Sequence, residues 1–214
     1  LYPTHGLGPV STMLDINRGN RMLYLTSTAT QSRGLKKYIV DKGGMSHPNA
    51  SVDFKCGDIV TTVIKCHQGQ TIMLSHDTNN PRPYSLNFRV QGTLGIWQKD
   101  SRSVYIEGLS KDEHRWEKED KYLEEFDHPL WKRFQDQAAG SGHGGMDFFI
   151  FRAFIEALKG AEPVIDVYDA VSMSVISPLS EKSIQLGSAS VKVPDFTRGK
   201  WKKNKPIFGL DDQA

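Results

Sequence analysis

Short runs rich in Leu, Ile, Val, Thr and Tyr occupy the first half of the chain: Arg21–Ser27, Ile59–Cys66, Thr71–His76, Tyr84–Gln91 and Ser103–Ile106. Their composition and length predict strands. The Gln68-Gly69-Gln70 link between the second and third is a hairpin signal, and short turns between successive strands imply antiparallel pairing. Alternation is uneven, because Val60, Val63, Ile64, Ile72, Met73 and Leu74 place apolar groups on both faces.

The helical period takes over later. Met146–Lys159 carries Phe149, Ala153, Ile155 and Leu158 at helical spacing, with Gly160 as a stop. Val164–Ile176 follows with Pro163 at its entry, and Leu179–Ile184 extends the region. Near the start, Val10, Met13, Leu14 and Ile16 predict a short helix with Pro9 in its first turn. Lys42–Asn49 reads as a loop. The fold class that results is α+β: an open, mainly antiparallel sheet with helices on one face, in one domain spanning residues 1–214.

Charge adds two local features. Glu107–Asp127 holds nine acidic residues against four Lys or Arg, which reads as a solvated surface segment. Val191–Lys205 holds six basic residues around Trp201 and reads as a surface tail strapped to the domain. The net charge of +2 is too balanced to recruit nucleic acid, and no apolar run approaches the ~20 residues of a membrane span. Cys66, inside a strand pattern, reads as a buried free thiol.

Three chemical signatures are weak. Gly140-Ser-Gly142-His-Gly-Gly145 matches G-x-G-x-x-G in form, but the charged, helix-like Trp131–Gln137 precedes it where a nucleotide fingerprint needs a buried strand. It reads as a flexible loop entering the Met146 helix. His143 and Asp147 stand four apart there, two ligands where a metal site wants three or four. No serine sits in a nucleophile-elbow context.

Stronger information lies in longer strings: Leu1-Tyr-Pro-Thr-His-Gly-Leu-Gly-Pro-Val10, Asn17-Arg-Gly, Asn80-Pro-Arg-Pro-Tyr84-Ser, Gly142-His-Gly-Gly-Met-Asp147, Asp166-Val-Tyr-Asp-Ala170, Leu179-Ser-Glu-Lys-Ser-Ile184 and Pro194-Asp-Phe-Thr-Arg-Gly199. Together they resemble the C-terminal domain of glycoside hydrolase family 109. That family comprises NAD-dependent α-N-acetylgalactosaminidases built on the glucose–fructose oxidoreductase and inositol dehydrogenase fold. The resemblance implies that Tyr2, Pro3, Thr4 and His5 border the sugar, that Tyr2 also reaches the nicotinamide, and that Tyr84 contacts substrate. It implies catalytic roles for His5 and Tyr2. It implies a mechanism of transient C3 oxidation, loss of the C2 proton, departure of the aglycone and addition of water.

Further expectations follow from the same resemblance. NAD is held mainly by an N-terminal Rossmann domain that this chain lacks, so the chain alone is inactive. The open sheet face pairs with another copy in a homo-oligomer. The host compartment, by family analogy, is the bacterial cytoplasm or the periplasm and cell envelope. The start on Leu-Tyr-Pro-Thr-His, without an initiator Met, reads as a fragment. Dehydrogenase relatives carry an Asp four residues before the motif His, where this chain has Leu1, which favours the hydrolase branch. A sugar dehydrogenase half and a non-catalytic carbohydrate-binding domain are the competing readings.

Overall fold

The computed structural model describes residues 3–207. In chain order they form α1 (Thr4–Met13), β1 (Met22–Ala29), α2 (Gly34–Gly43), β2 (Ile59–Cys66), β3 (Thr71–Asp77), β4 (Arg89–Gly92), β5 (Gly95–Gln98), β6 (Ser103–Ile106) and β7 (Glu117–Lys118). Then follow α3 (Asp120–Phe126), α4 (Pro129–Ala138), α5 (Met146–Leu158), α6 (Val167–Ser174), α7 (Ile176–Gln185) and β8 (Val191–Lys192), with single turns of 3₁₀ helix at His143–Gly145 and Lys200–Lys202. The protein is α+β with open antiparallel sheets. Two four-stranded sheets take the place of the one expected, in the orders β3-β2-β1-β8 and β4-β5-β6-β7. The described backbone gathers into two compact units, residues 3–82 with 165–207, and the continuous stretch 83–164.

In the first unit, β2 alternates as a half-buried strand should: Val60, Thr62, Ile64 and Cys66 face inward, Thr61 and Val63 outward. The β2–β3 hairpin keeps Ile64 opposite Ile72. Leu7 of α1, Leu25, Ile64, Met173 and Ile176 meet in one core against the inner face. The other face carries exposed Tyr24, Val63 and Met73, so helices cover one side only. Cys66 is buried as expected, and burial pushes its thiol up to about 11.

Helix α7 lies on β1 through hydroxyls rather than bulky side chains. Ser27 Oγ and Thr62 Oγ1 are 2.8 Å apart, Thr62 Oγ1 and Ser180 Oγ 3.1 Å, and the backbone N–H of Ser27 donates to Ser183 Oγ at 2.9 Å. Small serines let the helix approach closely, and each buried oxygen finds a partner. The basic tail is strapped down as predicted. Trp201 is buried, its Nε1 donates to Asp195 Oδ2 at 3.1 Å, and His67 meets its ring edge-on at 4.7 Å.

Several boundaries differ from the sequence reading. Helix α1 starts at Thr4, so Pro9 sits inside it. There it offers no N–H to the carbonyl of His5, four residues back. Tyr84–Phe88 forms no strand; Pro81 and Pro83 cannot donate to a ladder and Asn87 turns left-handed at φ 47°, which leaves only Arg89–Gly92 paired. Helix α6 begins at Val167, not Val164, because Asp166 caps it. Asp166 Oδ1 accepts the N–H groups of Tyr168 and Asp169, while Asp169 Oδ2 accepts that of Asp166.

The second unit pairs a small meander with α3, α4 and α5. Glu119 is its polar anchor, accepting Trp97 Nε1 at 2.6 Å and Arg102 Nε at 2.8 Å. The acidic segment is largely exposed, as expected, yet it also contributes β7 and α3. Helix α5 rests on α4 through Trp131–Phe149 and Phe134–Phe148 ring contacts. Ile155 and Leu158 are exposed, since those contacts involve only the N-terminal half of α5.

Candidate functional site

Within the first unit, the residues singled out by sequence lie at the entry of α1. Pro3 is buried at the helix N-cap, Thr4 is half-buried, and His5 is exposed in the first turn. Thr4 and His5 open the helix itself. Tyr2 lies outside the described residues.

What holds α1 in place is the loop that follows it. Ile16, Asn17, Arg18 and Asn20 are all buried, an unusual density of polar side chains in a turn. Asn17 adopts φ 67° and Asp15 φ 53°. Arg18 grips Asp169 of α6 with two parallel bonds, Nη1–Oδ1 at 2.8 Å and Nη2–Oδ2 at 2.7 Å. Asn17 Nδ2 adds bonds to Asp169 Oδ1 at 3.0 Å and Ser172 Oγ at 3.1 Å. Burial pushes the Asp169 carboxyl up, but the donors from Arg18 and Asn17 outweigh it and hold its pKa below the ordinary carboxylate value. A small cavity of about 20 Å³ beside this pair is lined by Ser11, Thr12, Arg18 and Asp169, and Ser11 Oγ is buried with no partner among the described residues.

Within the second unit, Tyr84 sits on the extended segment before β4 and is 89% exposed. The Gly-rich loop is more ordered than its composition suggests. Ser141 Oγ donates to the carbonyl of Ala138 at 2.9 Å and accepts the N–H of Phe148 at 3.3 Å, tying α4 to α5. Three consecutive residues, His143, Gly144 and Gly145, have left-handed φ values of 54°, 68° and 100°. A Cβ at Gly145 would approach Trp131 Cη2 to 3.0 Å, so glycine serves both the backbone angle and the close packing.

His143, which is not a glycine, carries strain on the order of 1–3 kcal/mol there. That conformation sets its ring against α5, with Nδ1 2.8 Å from Asp147 Oδ1. A carboxylate on Nδ1 favours the proton at that nitrogen and leaves Nε2 to exchange one. An open groove of about 520 Å³ runs beside the pair, lined by Asp147, Phe148, Phe151, Arg152 and Glu156. Sequence reading noted the four-residue spacing but weighed it only as a metal site. The positive φ that turns the imidazole toward Asp147 has no sequence signal in a histidine.

The glycine loop is not built as a dinucleotide cradle. The glycine loop follows helix α4, and a Cβ on Gly142 would lie 2.2 Å from Asp147 Oδ2, so a carboxylate fills the space a pyrophosphate would need.

The described residues thus combine an open antiparallel α+β fold with an ordered His–Asp pair beside a groove. In comparison with known proteins, residues 1–203 match the family described as glycosyl hydrolase 109, C-terminal domain, and the chain belongs to that family. It is 54% identical over 211 residues to a glycosyl hydrolase family 109 protein of Parabacteroides distasonis, covering 98% of this chain and 45% of the relative. It is equally similar, over the same shares, to an alpha-N-acetylgalactosaminidase of Tannerella forsythia. A third relative, the alpha-N-acetylgalactosaminidase of Shewanella oneidensis, is 42% identical, covering 97% of this chain and 46% of the relative. The chain thus spans a little under half the length of the curated relatives it matches.

Proposed function

We propose that this chain is the sugar-facing half of a glycosidase that hydrolyses α-N-acetylgalactosaminides, with NAD held mainly by the remainder of a longer polypeptide. The family match supports the reaction class. NAD, when bound, supplies the hydride chemistry; this chain supplies proton transfer and sugar contacts.

The observation that carries the reading is the His143–Asp147 pair. Glycoside cleavage requires a proton for the departing oxygen, and an imidazole oriented through Nδ1 can deliver it from Nε2. Asp147 fixes the ring and stabilises the imidazolium that forms when the proton returns. His5 and Tyr2 keep the catalytic roles that the resemblance implies, and Tyr84 its role as a substrate contact, each proposed on its own. The exposed outer face of the first sheet, with Tyr24, Val63 and Met73, is the surface through which two copies associate.

The test uses the full-length polypeptide and an aryl α-N-acetylgalactosaminide. His143→Ala lowers kcat by ~10²–10⁴-fold, the usual weight of a positioned acid or base. Hydrolysis in heavy water places deuterium at C2 of the released sugar. A wild-type protein that releases no N-acetylgalactosamine, or a His143→Ala variant of full activity, refutes the reading.

A further inference from the structure

The Arg18–Asp169 pair is the most buried ion pair among the described residues, with side-chain exposures of 10% and 9%. Pairs of this kind lose in desolvation about what they gain in attraction, so their net contribution to stability is small and their geometric demand is large. A bidentate fork fixes distance and angle together, and an apolar contact fixes neither. The apolar side of α1 packs Leu7 into the core with Val10 and Leu14 beside it. Such contacts leave a helix free to slide or roll by fractions of a turn at little cost.

Position along the chain gives the pair its leverage. Arg18 follows α1 by five residues, and Asp169 sits in the first turn of α6, where it also closes the capping box with Asp166. Asn20 extends the anchorage: its Nδ2 donates to the carbonyl of Leu14 at 2.8 Å, and its Oδ1 accepts the N–H of Arg21 at 2.9 Å. The cavity next to the fork, with Ser11 Oγ unpartnered in its wall, shows that α1 and α6 are not close-packed at this level. Polar bonds, rather than interlocking side chains, set the spacing of the two helices there.

We propose that Arg18 and Asp169 are positioning residues: their fork fixes the register of α1 on α6 and thereby places Thr4 and His5, at the other end of α1, for contact with the sugar. This rests on the sugar-facing role assigned to that end of the chain. The pair sets position without being needed for the fold.

The experiment compares the full-length polypeptide with the double variant Arg18→Met/Asp169→Leu, which replaces the pair by apolar groups of similar size, and with Arg18→Lys, which keeps the charge and loses the fork. The double variant still folds with a cooperative melt, its Tm lowered by the loss of the Asn17 and Asp166 N–H bonds that Asp169 also accepts, while the pair itself carries small net weight. Its kcat falls ~10–100-fold, the scale of a misplaced contact group, while Arg18→Lys falls between the two. Independently of activity, hydrogen exchange in Thr4–Met13 accelerates about tenfold in the double variant while Ile59–Cys66 stays at the parental rate. Unchanged kcat and unchanged exchange in α1 overturn the proposal. So does a loss of folding that accompanies the loss of activity in both variants, since the pair would then act as an ordinary stabilising contact. If the parent hydrolyses no N-acetylgalactosaminide, the functional reading fails while the exchange result still judges the positioning role.

Discussion

Ser183 is a sensitive point in the fold, and its replacement by alanine puts a number on the hydroxyl contact between α7 and the sheet. Strand β8 pairs with β1 only at Tyr24 and Leu25, so the ladder has run out when the chain reaches Ser27. Ser183 Oγ takes over, accepting the N–H of Ser27 at 2.9 Å and donating to the carbonyl of Ala189 at 2.6 Å. Ser27 and Ser183 are both almost wholly buried, so water cannot reach the N–H of Ser27 once the hydroxyl is gone, whereas Ala189 is exposed and its carbonyl can turn to solvent. Ser183→Ala therefore leaves one buried donor unsatisfied, a loss of about 1–3 kcal/mol. For a protein of this size that corresponds to a fall in Tm of roughly 2–12 °C. Ser180→Ala is the internal control. It removes one 3.1 Å hydroxyl contact, and Thr62 Oγ1 keeps its bond to Ser27 Oγ. Its loss is about 0.5–1.5 kcal/mol. Urea melts followed by circular dichroism measure both. Equal losses in the two variants, or a Ser183→Ala protein within 0.5 kcal/mol (about the scatter of a surface substitution) of the parent, would refute the account.

Two further outcomes follow. The Asp169 carboxyl titrates below the unfolded value of about 3.9, so its contribution is complete above that pH and disappears as pH falls through the lower folded value. Melting temperature should therefore drop below about pH 4, and Asp169→Asn, already less stable at pH 7, should lose less over that acid range; parallel curves would show that Asp169 is not involved. Met73→Lys, on the outer sheet face, is expected to shift the full-length protein toward monomer in light scattering without lowering its Tm, and an unchanged mass would place the oligomer contact elsewhere.

Strands β1, β2 and β3 were legible because their signals are local: β-branched composition, a Gly69 turn and a face that must be buried. Helix α2 was not. It buries no residue, and its cap comes from Asp58, whose Oδ2 accepts the N–H groups of Arg33 and Gly34 at 2.9 Å from 24 and 25 residues downstream. No window around Gly34 contains that information. Pro9 was read as a helix start because first-turn proline is the commoner arrangement, and the chain upstream of it held no cap signal. The family strings pointed to the neighbourhood of the candidate site, including the loop of His143. The pairing of that histidine with Asp147 depends on a left-handed backbone, a property of the folded loop rather than of its composition.

The sequence of synthesis meets an obstacle in the way the first unit is divided. Strands β1, β2 and β3 leave the ribosome early, but the helix that covers their inner face and the strand that closes their edge come after the whole of residues 83–164. Roughly 160 residues separate the end of β1 from β8, which at ~5–20 residues per second is about 8–30 s of translation. During that interval Leu25 and Ile64 face water, and the edge of β1 is open to strangers. The second unit, continuous in the chain, can form while the first waits. A nascent protein of this kind has reason to recruit a chaperone to its β2–β3 hairpin, and mutations that slow the formation of the inserted unit would be felt as aggregation of the unit that surrounds it.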